Sequence, residues 1–139
     1  EHEMGPKGGD ELNVIERGKN YGWPIVSPGD HYDDAPIPRH STRPEFVAPL
    51  KSWNPSISPS GMAFYTGDLF SAWRGDVLLG GLSGQAVTRL TLKNGKVTAE
   101  ERIDMKRRIR DVIQAPDGAV LLLTDGDDGE LLRLTPGTK

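Results

Sequence analysis

The sequence predicts an all-β protein built from β-propeller blades, and three observations lead to this fold class. Strand-length apolar segments bounded by Gly, Asp, Asn or Pro follow one another after Ser60. Two stretches, residues 77–92 and 120–135, repeat one pattern at an offset of 43 positions. No segment has the apolar spacing of an amphipathic helix. These features are typical of short strands joined by many turns.

The repeat consists of "VLLGGLSGQAVTRLTL" and "VLLLTDGDDGELLRLT". Each copy contains an apolar strand, a Gly-rich turn and a second strand that ends in Arg-Leu-Thr. A period in the low forties with about four strands per repeat is typical of a propeller blade. The opening stretch "EHEMGPKGGDELNVI" resembles a third copy of this hairpin. We therefore expect its glycines to form the hairpin turn.

The strands predicted after Ser60 divide into blades. One blade is complete and consists of "GMAFY", "DVLLGGL", "AVTRLTL" and "KVTAEERI". The next begins at "RIRDVI" and stops after its third strand, with "AVLLLT" and "ELLRLT" as the later strands. The first blade starts in its middle. The chain is thus predicted to hold about two and a half to three blades, whereas closed propellers have roughly 4–8.

Residues 24–60 differ in composition from the rest. They contain eight of the 11 prolines. Proline cannot donate to a strand ladder, so regular pairing is not expected across this segment. We predict a partial propeller over residues 1–139 with a long, ordered, Pro-rich loop insertion at 24–60. Long loops of this kind are often functional.

Charge and composition exclude several classes of protein. The net charge is −3, whereas nucleic-acid-binding domains are normally basic. No apolar run approaches the roughly 20 residues of a membrane span. The opening "EHEM" is acidic where a signal peptide would be basic. The absence of cysteine excludes disulfides, thiolate metal sites and cysteine nucleophiles.

The "RIR" of residues 108–110 is a candidate anion site. Residues i and i+2 of a strand share a face, so Arg108 and Arg110 are expected to project together with Ile109 packed behind them. Two guanidinium groups on one face suit a polycarboxylate or a phosphate, because each can bind an oxyanion bidentately. The alternative is a solvated edge strand within the basic run "KRRIRD".

Three further segments have a chemical interpretation and a simpler alternative. Asp10 and Glu11 supply hard oxygen ligands for calcium beside a glycine turn, or they are turn residues only. The "SGQ" of residues 83–85 directs backbone N–H groups at a ligand, or it is a plain hairpin. The "DGDDGE" of residues 125–130 fails as an EF-hand loop, since Pro136 stands at its twelfth position, and is predicted to be a polar turn. The three histidines lack ligand spacing.

The order of the motifs resembles a known family. "GPKGGDELN", "RGKNYGWP", "SGMAFY", "GGLSGQAVTRL" and "RIRDV" follow one another along almost the whole chain. In this order they are similar to the C-terminal part of soluble aldose sugar dehydrogenases that depend on pyrroloquinoline quinone (PQQ), in the glucose/sorbosone dehydrogenase family. Each motif alone is weak, and their combination is specific.

The resemblance implies a six-bladed propeller that holds PQQ over the mouth of the ring. Members oxidise the anomeric carbon of aldoses to lactones by hydride transfer with the help of calcium, pass electrons to an external acceptor, and are periplasmic or secreted. The general-base histidine of the family lies upstream, so no catalytic residue is implied here. The implied calcium ligands are Glu11, the Tyr21 carbonyl, Gly5 and Pro6, and the implied cofactor contacts are Tyr32, Ser83, Gly84, Gln85, Arg108, Ile109 and Arg110.

Two departures from the family keep an alternative open. Ser83 stands where some relatives carry lysine, and Met4 stands where many carry histidine or glutamine. The alternative is a non-catalytic propeller binding module that calcium stabilises. A calcium-dependent lactonase is a third hypothesis, which no multi-carboxylate centre in the sequence supports. Under each hypothesis, two and a half to three blades leave the predicted propeller ring open. We therefore expect missing blades or self-association, because exposed strand edges favour pairing.

Overall fold

The computed structural model describes residues 1–137, which form three antiparallel sheets. Two short 3-10 helices, His40–Thr42 and Ser71–Trp73, are the helices of this part of the chain, and the all-β prediction is confirmed. No helix within residues 1–137 is long and apolar enough to span a membrane. The ten strands are β1 (His2–Glu3), β2 (Asp10–Leu12), β3 (Lys51–Trp53), β4 (Pro59–Phe64), β5 (Val77–Gly81), β6 (Ala86–Lys93), β7 (Lys96–Asp104), β8 (Ile109–Gln114), β9 (Val120–Thr124) and β10 (Leu131–Leu134).

The chain divides into two compact units, Glu1–Pro59 and Ser60–Lys139. The first unit contains the sheet β1-β2-β3. Strands β1 and β2 pair across the glycine turn, with His2 opposite Leu12 and Glu3 opposite Glu11. The predicted hairpin at the start of the chain is therefore confirmed.

Strand β3 corrects one expectation for the Pro-rich segment. It pairs with β2 along its length, with Asp10 opposite Trp53 and Leu12 opposite Lys51. The expectation that residues 24–60 lack regular pairing is thus wrong at this strand. The physical reason is that Pro49 and Pro55 flank the strand and do not interrupt it.

A buried carboxylate fixes the turn of this first hairpin. Asp10 is fully buried and accepts a hydrogen bond from the Gly5 N–H at 2.9 Å. Its other oxygen accepts from the backbone N–H groups of Ile57 and Ser58, both at 2.7 Å, and from the Ser56 hydroxyl at 2.5 Å. Four hydrogen bonds thus satisfy this buried polar group. Asp10 therefore has a structural role in joining the turn to residues 56–58.

The second unit begins with the complete blade predicted from the sequence. Its sheet has the order β4-β5-β6-β7. All five residues of β5 are buried, as expected for an inner strand. Burial alternates little along the outer strand β7, and most of its residues are exposed. The four-stranded blade is confirmed.

The remaining sheet has the order β10-β9-β8, which confirms the predicted partial blade of three strands. Buried residues of both sheets form one core, namely Tyr65, Leu78, Val87, Ile109, Val112, Val120 and Leu122. Gly80 lies at the contact, since a Cβ there would approach Ile109 Cγ2 to 3.0 Å and Ser60 Oγ to 2.8 Å. A side chain at this position would push the two sheets apart.

Candidate functional site

Two carboxylates meet in the first unit because of the register of the β1–β2 hairpin. Glu3 and Glu11 are directly opposite each other, so their side chains share one face of the sheet. Asn13 lies two residues beyond Glu11 and reaches the same place. Its Nδ2 donates to Glu3 Oε1 at 3.1 Å and to Glu11 Oε2 at 3.0 Å. One amide therefore holds both carboxylates.

The surroundings of Glu11 disfavour its negative charge. Only 5% of the residue is exposed. The pKa of Glu11 is raised to about 7, mainly by burial; the hydrogen bond from Asn13 opposes this rise, and the nearby Glu3 adds to it. Within residues 1–137, the buried Asn13 Oδ1 has no hydrogen-bond partner. A hard cation would satisfy this set of oxygen atoms and offset the carboxylate repulsion.

A cavity of about 80 Å³ lies beside these carboxylates. Of the four predicted calcium ligands, Gly5, Glu11 and Tyr21 line it and Pro6 does not. Residues 1–137 contain no cluster of three or more His, Asp or Glu that could hold a metal ion. Calcium takes 6–8 oxygen ligands, so two carboxylates would have to be joined by backbone carbonyls and water. The full lining is Glu3, Met4, Gly5, Gly9, Glu11, Tyr21, Trp23, Val26 and Ser27.

Tyr21 is fixed at both ends. Its phenol oxygen donates to the Val14 carbonyl and accepts from the Glu16 N–H, both at 2.7 Å. Its own carbonyl oxygen accepts a hydrogen bond from His40 Nε2 at 2.9 Å. A carbonyl oxygen has a second lone pair, which remains for a cation. His40 thus orients the predicted carbonyl ligand, a contact that the sequence did not indicate.

The predicted cofactor residue of the first unit, Tyr32, makes little contact with the rest of the unit and is exposed. Tyr32 lies in the loop of residues 31–35 and is 79% exposed. The loop is held by backbone bonds between His31 and Ala35 at 2.9 Å and between Asp34 and His31 at 3.0 Å. The tyrosine ring is therefore presented to solvent on an ordered turn.

Arg108 and Arg110 lie together on the second unit, as the strand spacing predicts. Ile109 between them is fully buried in the core. Both guanidinium groups converge on one carboxylate, that of Asp125. Arg108 Nε donates to it at 2.8 Å, and Arg110 donates through Nε at 3.1 Å and Nη2 at 2.8 Å. The two arginine side chains remain about half exposed.

The arginine pair carries more charge than its acidic partner. Arg110 and then Arg108 hold the pKa of Asp125 below its usual value, so the carboxylate is ionised at neutral pH. Within this group of three side chains, two positive charges face one negative charge. The neighbouring Arg107 points elsewhere, toward Glu130 at 3.4 Å. The excess charge and the exposed N–H groups suit an anionic ligand.

Asp125 is a site residue that the sequence reasoning missed. It was included only in the polar turn predicted for residues 125–130, and it is also the residue that orders the arginines. The hairpin of β8 and β9 supplies the signal that could have identified it. Ile109 is opposite Thr124, so Asp125 follows directly at the level of Arg108.

The turn of residues 83–85 lies at the same end of the second unit as the arginines. Gln85 adopts a positive φ of 50°, and its carbonyl accepts the Met105 N–H at 3.0 Å, three residues before Arg108. Arg102 Nη2 donates to the Gly84 carbonyl at 2.6 Å. The structure thus brings the two cofactor segments predicted on this unit to one edge of the blades.

The sheets and their pairing define this chain as a set of propeller blades, and comparison with known proteins identifies the family. The family model described as Glucose / Sorbosone dehydrogenase matches residues 1–133. The chain therefore belongs to the glucose/sorbosone dehydrogenase family. Aldose sugar dehydrogenase of Escherichia coli K12 is 42% identical over 141 aligned residues, which cover 97% of this chain and 38% of that protein.

Solved structures show the same similarity. A crystal structure of glucose dehydrogenase is 48% identical with a TM-score of 0.92, over 98% of this chain and 40% of that one. The PQQ-bound aldose sugar dehydrogenase of Streptomyces coelicolor is 26% identical with a TM-score of 0.71, over 96% of this chain and 38% of that one. The chain thus spans 40% or less of the length of these relatives. The likeness confirms partial propeller architecture.

Proposed function

We propose that the protein is a PQQ- and calcium-dependent aldose dehydrogenase and that this chain supplies part of its cofactor site. The observation that carries the proposal is the convergence of Arg108 and Arg110 on a single carboxylate, with one positive charge in excess. The tricarboxylate PQQ has the complementary charge. Family membership and the PQQ-bound relative support the same assignment.

The proposed cofactor residues contact the ligand through both side-chain and backbone groups. The outer N–H groups of Arg108 and Arg110 bind carboxylates of the cofactor, and Ile109 anchors the strand that carries them. The turn of Ser83, Gly84 and Gln85 offers backbone N–H groups at the same edge. Tyr32 presents an exposed ring. Bound PQQ would supply the hydride-accepting chemistry for oxidation of the anomeric carbon, and the residues of this chain would hold and orient it.

The calcium site is assigned to the cavity of the first unit. Glu11 is its carboxylate ligand, and the carbonyl groups of Tyr21 and Gly5 are its backbone ligands, whereas Pro6 lies outside the cavity lining. Calcium there supplies Lewis acidity and fixes the geometry of the oxygen ligands. The buried carboxylate with its raised pKa and the unpartnered Asn13 oxygen support a cation at this place.

The general base, the electron acceptor and the remaining blades lie outside this chain in our proposal. None of His2, His31 and His40 is assigned as the base, and His40 already serves the Tyr21 carbonyl. The substrate is an aldose that is oxidised to a lactone, and the protein is periplasmic or secreted. Turnover requires the remaining blades or association of several chains, so the isolated chain is inactive.

A calorimetric titration of PQQ into this chain with calcium present tests the cofactor assignment. We expect saturable binding that Arg108→Ala and Arg110→Ala each weaken at least about tenfold, the effect of losing a charged hydrogen bond. Arg133→Ala is the matched control, because Arg133 forms an exposed ion pair with Asp117 on the same sheet. Equal affinity in all variants would contradict the assignment.

A chimera tests the enzymatic part of the proposal. This chain replaces the homologous segment of the E. coli relative, and dye reduction is measured with a panel of aldoses after addition of PQQ and calcium. We expect sugar-dependent turnover that disappears with Arg108→Ala. A folded chimera that binds PQQ and turns over none of the sugars would rule out this assignment.

The non-catalytic binding module remains the second candidate. Met4 lines the cavity, and its side chain is a thioether that supplies no oxygen ligand there. In this case calcium holds Glu11 to Tyr21, and the thermal midpoint rises with calcium and not with PQQ. A further rise on addition of PQQ would favour the dehydrogenase.

A further inference from the structure

We propose that Asp125 is a positioning residue that holds the guanidinium groups of Arg108 and Arg110 in place for an anionic ligand. This inference rests on the proposed function, in which that ligand is the tricarboxylate cofactor. Asp125 itself does not touch the ligand. It acts through the two arginines, whose arrangement it fixes before the ligand arrives.

The backbone around Asp125 is anchored to the strand that carries the arginines. The Asp125 N–H donates to the Arg108 carbonyl at 2.8 Å. The turn that follows is closed by two bonds between Thr124 and Glu130. The Thr124 N–H donates to the Glu130 carbonyl at 2.9 Å, and the Glu130 N–H donates to Thr124 Oγ1 at 2.7 Å. The carboxylate of Asp125 therefore has a fixed position relative to Arg108.

The hydrogen bonds use the inner edges of the guanidinium groups. Asp125 accepts from Arg108 through Nε alone, and from Arg110 through Nε and Nη2. Within residues 1–137, both Nη atoms of Arg108 and the Nη1 of Arg110 have no protein acceptor. Because the inner edges are bound, the outer ends of both groups face away from Asp125. These ends are the ones that bind carboxylates bidentately.

Two effects of Asp125 on anion binding oppose each other. Its charge offsets part of the positive potential of the arginines, which weakens attraction for an anion. Its hydrogen bonds order two long side chains, and this ordering then costs nothing when the ligand binds. Ordering dominates in this proposal, because Asp125 leaves the outer N–H groups available and the three side chains together keep one positive charge.

The test measures anion affinity in Asp125→Asn by calorimetry with two probes. PQQ is titrated with calcium present, and citrate, a tricarboxylate without redox chemistry, is titrated without calcium. The substitution keeps the size of the side chain and removes its charge. We expect binding of both probes to weaken about tenfold, as for one hydrogen bond to a charged group. Unchanged or tighter binding would overturn the proposal.

Further variants separate positioning from a general loss of stability. Asp117→Asn is the matched control, since Asp117 pairs with the exposed Arg133 on the same sheet, and it should leave both affinities unchanged. Arg108→Ala combined with Asp125→Asn should weaken binding by less than the product of the two separate effects, because Asp125 acts partly through Arg108. Fully additive losses would contradict a role through the arginines.

The two probes also distinguish this inference from the proposed function. Binding of citrate without binding of PQQ would refute the cofactor assignment, and the Asp125→Asn result with citrate would still decide the positioning role. Binding of neither probe to the unaltered chain would overturn both. If Asp125→Asn does not fold, Asp125→Glu decides, since its carboxylate is displaced by one methylene and should weaken binding at least threefold.

Discussion

Glu11 is a carboxyl group whose charged form the fold disfavours. Its pKa is about 7 in the folded chain because it is buried beside Glu3, against 4.5 for an ordinary glutamate. The folded state therefore binds the proton more tightly than the unfolded state does. Its stabilising contribution is complete below pH 4.5 and is lost as the pH rises through 7.

A pH series of urea denaturation in the presence of a chelator checks this prediction. Between pH 4.5 and 7, the contribution of Glu11 to the free energy of unfolding should fall by about 3 kcal/mol at most. Glu11→Gln removes the titrating group, so its curve should lack this part of the pH dependence. Parallel curves for the two proteins would contradict the burial effect.

Calcium should stabilise the charged form of the Glu11 carboxylate, which the fold alone disfavours. A bound cation offsets the charge repulsion between Glu3 and Glu11, so calcium stabilises the folded chain at neutral pH. At a hundredfold excess of calcium over its Kd, we expect the thermal midpoint to rise by roughly 5–10 °C. Glu11→Gln should abolish the rise.

Glu45→Gln is the matched control for the calcium experiment. Glu45 is an exposed carboxylate of the same unit that pairs with Arg43 and lies outside the cavity. Its removal should leave the calcium-induced rise intact. Equal rises in both glutamine variants would indicate calcium binding elsewhere.

Tyr65 joins two elements of the second unit through its hydroxyl group. The residue is fully buried, and its oxygen donates to the Gly118 carbonyl at 2.7 Å in the turn between β8 and β9. The same oxygen accepts the Phe70 N–H at 2.9 Å. Tyr65→Phe would leave both backbone groups without this partner and should lower the free energy of unfolding by about 1–3 kcal/mol.

Chemical denaturation of Tyr65→Phe measures this cost, and Tyr32→Phe provides the same chemical change at an exposed position. The Tyr32→Phe substitution should change the free energy of unfolding by less than about 0.5 kcal/mol. Equal midpoints for the two variants would show that the hydroxyl of Tyr65 does not connect the elements energetically.

At the scale of the whole molecule, the exposed outer strand β10 favours association with another chain. Strand β10 is an outer strand of its sheet, and Leu131 is 68% exposed directly opposite the exposed Leu123. Unpaired outer strands with apolar side chains favour contact with another chain. Light scattering should therefore detect association that increases with concentration. Leu131→Lys should reduce it, whereas a monodisperse monomer at every concentration would contradict the prediction.

Sequence periodicity was sufficient for most of the fold because a blade is a local structure. The seven strands predicted after Ser60 are all present, since each pairs with a strand that is adjacent to it in the sequence. Strand β3 was not predicted. It joins β2 across about forty residues, and three residues among many prolines give no periodic signal.

The sequence by itself determined the blade repeat, the first hairpin and the pairing of Arg108 with Arg110, because all three follow from residue alternation and turn chemistry over short distances. Only the tertiary structure decided which groups face these residues. Strand register places Asp125, Glu3 and Asn13 beside their partners. The path of the loop brings His40 to the Tyr21 carbonyl. Register and loop path depend on contacts between distant residues, which no local pattern of side chains records.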